Sequence, residues 1–313
     1  MPEFYLAAFS DTGTKDGSLT VFDNLERRTW PTKPEKAAHQ RDFYRVDLPD
    51  MEPDSLEKDF AKFESEAADV LRQIHLKKQI PDDNDGFDIL LNFVSFTMVR
   101  VPAFREARRQ NMEQIYDMQM RMALQSRETW KETVRLANTK TDGPDISSEG
   151  TYEQMSKFVD EKRYTIDTDQ NGHLKTLLEW HDRILPLLAK RAWSLVVADP
   201  SVGYFVTSDH PVLLNWIGKA PAFLSPGLGL LNTVVQMPLT KEVCLVGWFD
   251  LAPSVIRADL PLIAAANSMV LMQADKRVFS AGDDFVWMKP PGQSIVDARH
   301  WFEWLKTYTQ PPV

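Results

Sequence analysis

The segment from Ala192 to Trp216, AWSLVVADPSVGYFVTSDHPVLLNW, constrains the fold of this chain more than any other part of the sequence. Two apolar runs, WSLVVA and YFVT, flank a turn-rich loop at 199–203, and a third run, VLLNW, begins directly after SDHP at 208–211. Short runs rich in Val, Phe and Tyr that are bounded by Gly, Pro and Asp are typical of buried strands. The segment therefore predicts a sheet in which a carboxylate and an imidazole lie at the end of a strand.

The middle of the chain predicts helices. Apolar residues recur at steps of three and four over 56–74, which is the pattern of an amphipathic helix. A second segment at 87–101 is apolar on nearly all sides and predicts a buried helix, which Pro102 kinks or restarts. With further helical segments up to residue 190, these patterns predict a helical subregion over 54–190.

Strand patterns dominate residues 191–313, where one predicted helix at 260–274 covers the sheet. Near the start of the chain, LTVFD and RTWPT bracket a polar turn and predict a hairpin, and RDFYRVD at 41–47 adds a short extended piece. A lone hairpin is barely stable in water, so we expect this hairpin to pack against the C-terminal sheet.

The predicted fold class is α+β, with an N-terminal β-hairpin, a helical middle and a C-terminal mixed or antiparallel sheet with a covering helix. A chain of 313 residues is long enough for one large domain or two ordinary ones. We expect residues 1–313 to form a single domain, because the hairpin and the C-terminal sheet need each other. TKTDGPDISSEG at 139–150 is the best candidate for a mobile loop.

Composition and charge exclude several classes of function. The formal net charge of −9 argues against non-specific binding to nucleic acid, which depends on Lys and Arg. Cys244 is the only cysteine, so the chain forms no intrachain disulfide and no cysteine-based zinc site, and this thiol is interpreted as a buried apolar residue. We expect no signal peptide, because MPEFYLAAFSD has an acid at position 3 and no basic n-region. We expect no membrane-spanning segment, because FDILLNFVSFTMVRV is too short and too interrupted to span a bilayer, and therefore a cytoplasmic location.

The sequence has no glycine-rich phosphate loop, metalloprotease motif or serine nucleophile elbow. In the absence of such a motif, Asp209 and His210 are the first candidates for a functional site. A carboxylate at a strand end can act as a general base or bind a metal ion. The alternative is that Asp209 accepts hydrogen bonds from backbone N–H groups where the strand ends before Pro211. His210 is held extended by the proline that follows it, and histidines at strand ends are often merely exposed.

Arg100 and Glu64 are the second pair of candidates. Arg100 ends a nearly uncharged run, so its guanidinium needs a specific partner, either a carboxylate of the fold or an anionic ligand. Glu64 lies at the edge of the apolar stripe of the first helix, where it could face Arg100 as a buried pair. His181, within another apolar stripe, is interpreted as a core histidine bonded to a backbone carbonyl.

Seven segments of the chain occur in an order that resembles the "domain of unknown function 4238" family. They are MPEFYLAAFS, RDFYRVD, LEKDFAKFESEAADVL, FTMVRVPAFRE, WSLVVADPSVGYFVTSDHPV, MPLTKEVCLVGW and NSMVLMQADKRVFSA. The resemblance spans nearly the whole chain, and TSDHPV at 207–212 is its most specific part. Positions that match the family pattern are Pro2, Leu6, Phe9, Glu64, Arg100, Pro102, Asp209, Pro211, Pro238 and Asn267.

The resemblance implies one fold but brings no established activity. This sequence departs from the family pattern at one point, because the family's histidine would stand three residues before Pro2, ahead of Met1.

The leading functional hypothesis is a hydrolase that acts on an anionic substrate through a site formed by Glu64, Arg100 and Asp209, with His210 as a further candidate. Arg100 would clamp the anion, while one carboxylate would act as a base or hold a divalent cation. The alternative is a non-catalytic binding or regulatory module in which the same residues form a structural polar network. An enzyme needs these groups in one solvent-connected pocket, whereas groups that are buried apart favour the binding module.

Overall fold

The computed structural model describes residues 1–37, 55–139, 151–162, 170–250, 252–290 and 294–307. Its helices are α1 Glu3–Ala7, α2 Pro34–Ala37, α3 Ser55–Lys77, α4 Asn84–Arg100, α5 Pro102–Ala123, α6 Arg127–Asn138, α7 Thr151–Asp160, α8 Gln170–Ala189, α9 Leu260–Gln273 and α10 Trp301–Thr307, with a 3-10 helix at Ala298–His300. Its strands are β1 Leu19–Asp23, β2 Arg28–Thr32, β3 Ala192–Ala198, β4 Thr207–Ser208, β5 Leu213–Trp216, β6 Thr233–Pro238, β7 Val243–Trp248, β8 Val255–Ala258, β9 Arg277–Ser280, β10 Val286–Lys289 and β11 Ser294–Asp297.

The order of these elements confirms the α+β class, because helices fill the middle of the chain and strands lie at both ends. The predicted hairpin is β1–β2, and the predicted covering helix is α9. The extended piece expected at 41–47 and the loop expected at 139–150, apart from its first residue, lie outside the described residues. None of the helices that the structure describes combines the length and apolar composition needed to cross a membrane.

The N-terminal hairpin is joined to the C-terminal part of the chain strand to strand. One four-stranded sheet has the order β2-β1-β9-β4. In it, β1 pairs antiparallel with β2 on one side and with β9 on the other, where Val21 lies opposite Phe279. The hairpin is therefore stabilised by a strand from the far end of the chain, which supplies the third strand that a lone hairpin lacks.

The second apolar run of the 192–216 segment forms a shorter strand than its pattern predicts, since only Thr207 and Ser208 pair with β9. The backbone N–H of Phe205 donates to the carbonyl of Lys241 at 2.8 Å, and that of Val206 donates to Oδ1 of Asn267 at 3.0 Å. The side chain of Asn267 thus accepts from the N–H of Val206, which would otherwise pair with a neighbouring strand. The run is largely buried as expected, but only its last residue, Thr207, joins the ladder.

A five-stranded mixed sheet has the order β5-β6-β7-β3-β8. Its central pair, β3 and β7, is antiparallel, and Leu195 lies opposite Leu245. The edge strand β8 runs parallel to β3, with Leu195 opposite Val255. The sequence analysis did not predict β8, because this edge strand is short and largely exposed and lacks the apolar pattern of a buried strand.

The core beside the four-stranded sheet contains side chains from both the N-terminal and the C-terminal parts of the chain. Phe22 of β1 packs edge-on against Phe285 with ring centroids 5.2 Å apart, in one buried cluster with Trp287, Trp301 and Trp304. The rings of Trp287 and Trp301 are nearly perpendicular at 5.2 Å. Burial of these large side chains provides much of the apolar stabilisation in this part of the molecule.

Helix α4 is fixed by its cap and by its buried surface. Asp83 accepts a hydrogen bond from the backbone N–H of Gly86 at 2.6 Å, which satisfies an orphan donor of the first turn. Phe96 of α4 stacks on His181 of α8 with ring centroids 3.8 Å apart. The predicted core position of His181 is confirmed, but its Nδ1 atom has no hydrogen-bond partner among the described residues, so the expected bond to a carbonyl is not seen there.

The contacts divide the chain into two compact units, residues 1–101 with 170–313, and residues 102–169. In the second unit, Trp130 of α6 donates through Nε1 to Oγ1 of Thr151 at 3.1 Å, and the hydroxyl of Tyr152 donates to the carbonyl of Leu124 at 3.1 Å. These bonds connect α6 and α7 with the end of α5. Whether the whole chain behaves as a single domain stays a prediction.

Candidate functional site

The structure brings Glu64 and Arg100 together. Nη2 of Arg100 donates to Oε1 of Glu64 at 2.8 Å, and the guanidinium lies 5.1 Å from the centroid of the Phe60 ring. The two side chains are 15% and 26% exposed, for Arg100 and Glu64 respectively. Burial lowers the pKa of the Met1 α-amino group, Arg100 lowers it further, and Glu64 opposes both. Arg100, the last residue of α4, is thus paired with Glu64 of α3, and both act on the pKa of the Met1 amino group.

The carboxylate of Asp209 is bound by backbone N–H groups at the turn that leads from α9 into β9. Its Oδ1 accepts from the N–H of Asp275 at 2.9 Å, and its Oδ2 accepts from Lys276 at 2.8 Å and from Arg277 at 3.0 Å. The N–H of Asp209 itself donates to the carbonyl of Arg277 at 3.0 Å. This carboxylate therefore fixes the start of β9 against the end of β4.

The electrostatics of Asp209 reflect a buried carboxylate. Burial raises its pKa, and this effect outweighs the backbone hydrogen bonds, which lower it. The neighbouring carboxylate of Asp275 also raises the pKa of Asp209. Three of the roughly four accepting lone pairs of this carboxylate are bound by backbone N–H groups, which leaves one on Oδ1.

His210 lies at the same turn. Its backbone N–H donates to Oγ of Ser208 at 3.2 Å, and this hydroxyl donates back to the carbonyl of His210 at 2.9 Å. Burial lowers the pKa of the imidazole, whereas Asp275 and a hydrogen bond to the backbone of Gln273 raise it. Desolvation thus shifts the ring toward its neutral form.

The four predicted site residues therefore fall into two groups. Glu64 and Arg100 form one pair between α3 and α4, and Asp209 and His210 belong to the turn before β9. No hydrogen bond or ion pair between described residues joins Asp209 to Arg100, and the expected three-residue site stays a prediction. Asp209 accepts from backbone N–H groups, as the alternative in the sequence analysis has it, but its donors are at 275–277 and not at the end of its own strand.

A third polar cluster connects the end of α3 with the turn between β6 and β7. Nζ of Lys78 donates to Oε2 of Glu242 at 2.8 Å, and Nδ1 of His75 lies 3.3 Å from Oγ1 of Thr240. Burial lowers the pKa of His75, with Lys78 lowering it further and Glu242 opposing. Because Thr240 is buried and its Oγ1 also accepts from the backbone N–H of Glu242 at 3.1 Å, this cluster braces the fold.

A cavity of about 400 Å³ opens between the α3–α4 connection and strands β3 and β8. Its apolar lining consists of Ile80, Pro81, Phe87, Ala192, Trp193, Pro253 and Val255. Polar groups of Gln79, Asp82, Arg191 and Ser254 complete the lining, and Asp82 accepts a hydrogen bond from Nε2 of Gln79 at 2.7 Å. A mostly apolar cavity of this size with a few polar groups has the properties of a small-molecule site.

Arg191 is the buried charge beside this cavity. It is 4% exposed, and its terminal nitrogens donate to the carbonyls of Thr233 at 2.8 Å, Gly247 at 3.1 Å and Leu228 at 2.6 Å, and to the hydroxyl of Thr233 at 2.9 Å. The guanidinium also lies 4.4 Å from the centroid of the Phe249 ring. Burial lowers its pKa to about 10. One arginine thus ties β6, β7 and the preceding loop to the start of β3.

The sequence analysis did not identify Arg191, although the argument that was used for Arg100 also applies to this residue. A charge directly before the buried run AWSLVVA needs specific partners, as does a charge at the end of an apolar helix. The adjacent Lys190 conceals this signal, because two basic residues at a helix end are typical of a solvated terminus.

Metal and thiol chemistry find little support in the described parts of the chain. There, no group of three or more His, Cys, Asp or Glu side chains is placed to hold a metal ion. The predicted burial of Cys244 is confirmed, and burial raises the pKa of its thiol far above the usual range. This thiol is therefore not an activated nucleophile.

The fold and these contacts define an α+β protein in which buried charges brace the junctions between helices and sheets. The chain matches the family described as Protein of unknown function (DUF4238) over residues 1–284, and it belongs to that family. No curated protein and no solved structure matches the chain.

Proposed function

We propose that this chain is a non-catalytic binding module that takes a small ligand in the cavity between the α3–α4 connection, β3 and β8. The observation that carries the proposal is the cavity itself, which has the volume and the mostly apolar lining of a ligand site. It lies where an edge strand, a helix connection and a buried arginine meet. Such junctions position a few polar groups rigidly around an apolar surface.

The state of the sequence-predicted site residues supports binding over catalysis. The two oxygens of Asp209 accept three backbone hydrogen bonds, and Glu64 is paired with Arg100. A general base has to reach a substrate proton with an available lone pair, and a clamp has to present its donors to the anion. These groups instead satisfy partners within the fold.

The test is a binding screen in which the cavity is closed by mutation. Fragments that carry an aromatic ring and one polar group are screened by ligand-observed NMR against wild type, Val255→Trp and the control Arg257→Trp. Val255 lines the cavity and is 53% exposed, so an indole fits there without entering the core. Arg257 is exposed two residues further along the same edge strand and is outside the lining.

We expect fragments that bind wild type and Arg257→Trp alike but bind Val255→Trp roughly tenfold more weakly. Fragments that bind all three proteins equally would place the ligand elsewhere and contradict the proposal, as would the absence of any binding fragment.

A hydrolase that acts on an anionic substrate is the second candidate, and the partial exposure of the Glu64–Arg100 pair favours it. A substrate anion could then compete with Glu64 for the guanidinium. The test is turnover of the anionic ester 4-nitrophenyl phosphate by wild type and by Arg100→Lys, with the uncharged ester 4-nitrophenyl acetate as the comparison. Turnover that is lost in Arg100→Lys and retained in Val255→Trp would support the hydrolase and contradict the binding module.

A further inference from the structure

We propose that the ligand of this cavity is a short extended peptide that pairs with strand β8 and places an apolar side chain in the cavity. This inference rests on the proposed function, because it names the chemical class of the ligand for the same site. Three features of β8 lead to it: its open edge, the side chain that it gives to the cavity lining, and the charge two residues further on.

Strand β8 lies at the edge of the five-stranded sheet, where β3 is its only strand partner among the described residues. The N–H of Leu195 in β3 donates to the carbonyl of Ser254 at 3.0 Å, so this carbonyl faces the sheet. Successive residues of a paired strand present their backbone groups to opposite sides. The N–H and C=O groups of Val255 and Arg257 therefore point away from β3.

The outward backbone groups of β8 are available for pairing. No hydrogen bond between described residues uses the N–H or C=O groups of Val255 and Arg257, and both residues are exposed. Pro253, the preceding residue on the outward side, has no N–H, so a ladder along this edge ends there. An open edge is a template for a further strand, and an extended peptide that joins it gains main-chain hydrogen bonds.

The side chain of Val255 places the cavity beside this open edge. Val255 lies opposite Leu195, on the same face of the sheet as Trp193, and both Val255 and Trp193 line the cavity. A peptide residue paired with Val255 directs its side chain to that face, because residues opposite each other in a ladder share a face. The half-buried side chains of Ile80 and Phe87 form the facing wall, which suits an aromatic or branched aliphatic residue.

Arg257 sets a second requirement for the peptide. It lies two residues after Val255, so its exposed side chain belongs to the same face of the strand. No ion pair among the described residues includes Arg257. Hydrogen bonds from Ser201 lower the pKa of Asp199, and the charge of Arg257 lowers it further from beyond ion-pair distance. An acid two positions from the apolar residue of the peptide would meet this guanidinium.

The direction of the peptide fixes the order of these two residues. Antiparallel pairs are more stable per residue and more common than parallel ones. In an antiparallel peptide, the residue opposite Arg257 precedes the residue opposite Val255. The preferred sequence is therefore an acid, any residue, and then an aromatic residue.

The first experiment compares the fluorescein-labelled pentapeptides TEVFT and TFVET, which share a composition and differ in the order of the acid and the aromatic residue. Their affinities for the wild-type chain are measured by fluorescence anisotropy. We expect TEVFT to bind about threefold more tightly, because only its order joins the charge pair with Arg257 to the filled cavity. Equal affinities, or tighter binding of TFVET, would contradict the antiparallel order.

Methylation of single peptide nitrogens tests the backbone pairing. In TEVFT the N–H of the phenylalanine would donate to the carbonyl of Val255, whereas the N–H of the valine before it would point to solvent. Methylation of the phenylalanine nitrogen should weaken binding about tenfold, because it removes this hydrogen bond and adds a methyl group at the strand edge. Methylation of the valine nitrogen is the matched control and should change the affinity little. Equal losses would show that the peptide does not pair with β8 and would overturn the inference.

Charge exchange tests the contact with Arg257. Arg257→Glu should weaken TEVFT about threefold and tighten its lysine counterpart TKVFT by a similar factor, because the exchanged charges attract again. Lys15→Glu is the matched control, since it makes the same charge change at an exposed loop position outside the lining. Equal effects of the two variants would mean that only net charge matters, which would contradict recognition at this edge.

The outcomes separate this inference from the proposed function. If fragments bind in the cavity and Val255→Trp weakens them, but no pentapeptide binds, the cavity is a ligand site and the assignment of a peptide is overturned. If neither the fragments nor the pentapeptides bind, the proposed function fails and this inference fails with it. Binding of TEVFT that Val255→Trp removes and Lys15→Glu retains supports both.

Discussion

At the scale of single residues, the chain uses its own backbone to stabilise the charges of the half-buried Asp209 and the buried Arg191. Asp209 binds three N–H groups of one turn, and Arg191 binds three carbonyls that belong to a loop and two strands. Charge-assisted hydrogen bonds of this kind are stronger than neutral ones, and removing one partner leaves the others buried and unsatisfied. Both side chains therefore act as cross-links between segments that are far apart in the sequence.

Replacing Asp209 by Asn should destabilise the chain by about 1 to 3 kcal/mol. An amide offers one accepting oxygen, and its NH₂ group would face an N–H donor that Oδ1 or Oδ2 now accepts. Urea unfolding of wild type and variant measures the change. Asp199→Asn is the control, because Asp199 is exposed and caps only its own turn through Ser201; equal losses in the two variants would contradict the bracing role of Asp209.

Three histidines should make the folded state sensitive to acid. Burial lowers the pKa of His75, His181 and His210 below the usual value of 6.5. Below about pH 6.5 the unfolded chain therefore binds protons that the folded chain does not, so the free energy of unfolding falls as the pH drops. Asp209, whose pKa is raised, acts in the opposite direction as the pH falls toward its usual value of 3.8.

His181→Phe should reduce this sensitivity, because it removes one of the three rings and keeps an aromatic side chain against Phe96. Between pH 6.5 and 5.5 the loss of unfolding free energy should shrink by up to about 1.4 kcal/mol, the largest contribution of one proton per pH unit. Chemical unfolding across this pH range measures it, with pH 8 as the reference where all three rings are neutral. An unchanged slope would show that His181 is not held neutral by burial.

At the scale of elements, the central pair of the five-stranded sheet depends on the close approach of an aromatic ring to a glycine. The Trp193 ring of β3 lies over Gly247 of β7, directly across the ladder. Nε1 of the same indole donates to the carbonyl of Leu188 at 3.1 Å, which fixes the ring against the end of α8. Trp193 also lines the cavity, so this contact connects the stability of the sheet with the shape of the proposed site.

Gly247→Ala should destabilise the chain by about 1 to 3 kcal/mol through overpacking. The added Cβ atom would lie 2.7 to 2.9 Å from three carbon atoms of the Trp193 ring, closer than van der Waals contact allows. Thermal unfolding measures the loss. Gly229→Ala is the matched control, because the nearest atom to its Cβ would be Cδ2 of Leu187 at an ordinary 3.8 Å; a larger loss in the control would contradict the argument.

At the scale of the whole molecule, the first and last parts of the chain form one core. Strand β1 pairs with β9, and Phe22 packs into the cluster that contains Phe285 and Trp301. Trp301 also donates through Nε1 to Oδ1 of Asn24, at the turn of the hairpin, at 2.8 Å. Contacts between segments so distant in sequence cost loop-closure entropy, so they form only together with the rest of this core.

Phe22→Ala should destabilise the chain by about 3 to 5 kcal/mol, since it removes a fully buried aromatic ring and leaves a cavity. The change is measured by guanidinium unfolding followed through tryptophan fluorescence, because the mutated site is surrounded by indoles. Leu25→Ala, in the exposed turn of the same hairpin, should change stability by no more than about 0.5 kcal/mol. Similar effects of both substitutions would show that the hairpin is not part of the C-terminal core.

The sequence by itself determined the elements whose signal is local. The three- and four-residue spacing of apolar side chains predicted α3, and the uncharged run before Pro102 predicted α4. Arg100 was recognised as a charge in need of a partner because it ends a nearly uncharged run, and Glu64 as its candidate because it lies at the edge of an apolar helix face. Periodicity and burial follow from side chains alone, so a single sequence carries this information.

Only the tertiary structure decided which polar groups meet. Asp209 binds the backbone at 275–277, and Arg191 binds carbonyls of Leu228, Thr233 and Gly247. Every residue type carries a carbonyl, and all but proline an N–H, so no letter of the sequence marks these partners. The cavity arises in the same way, from the meeting of a helix connection, β3 and the edge strand β8. Its existence depends on chain packing over long sequence distances, which local patterns do not encode.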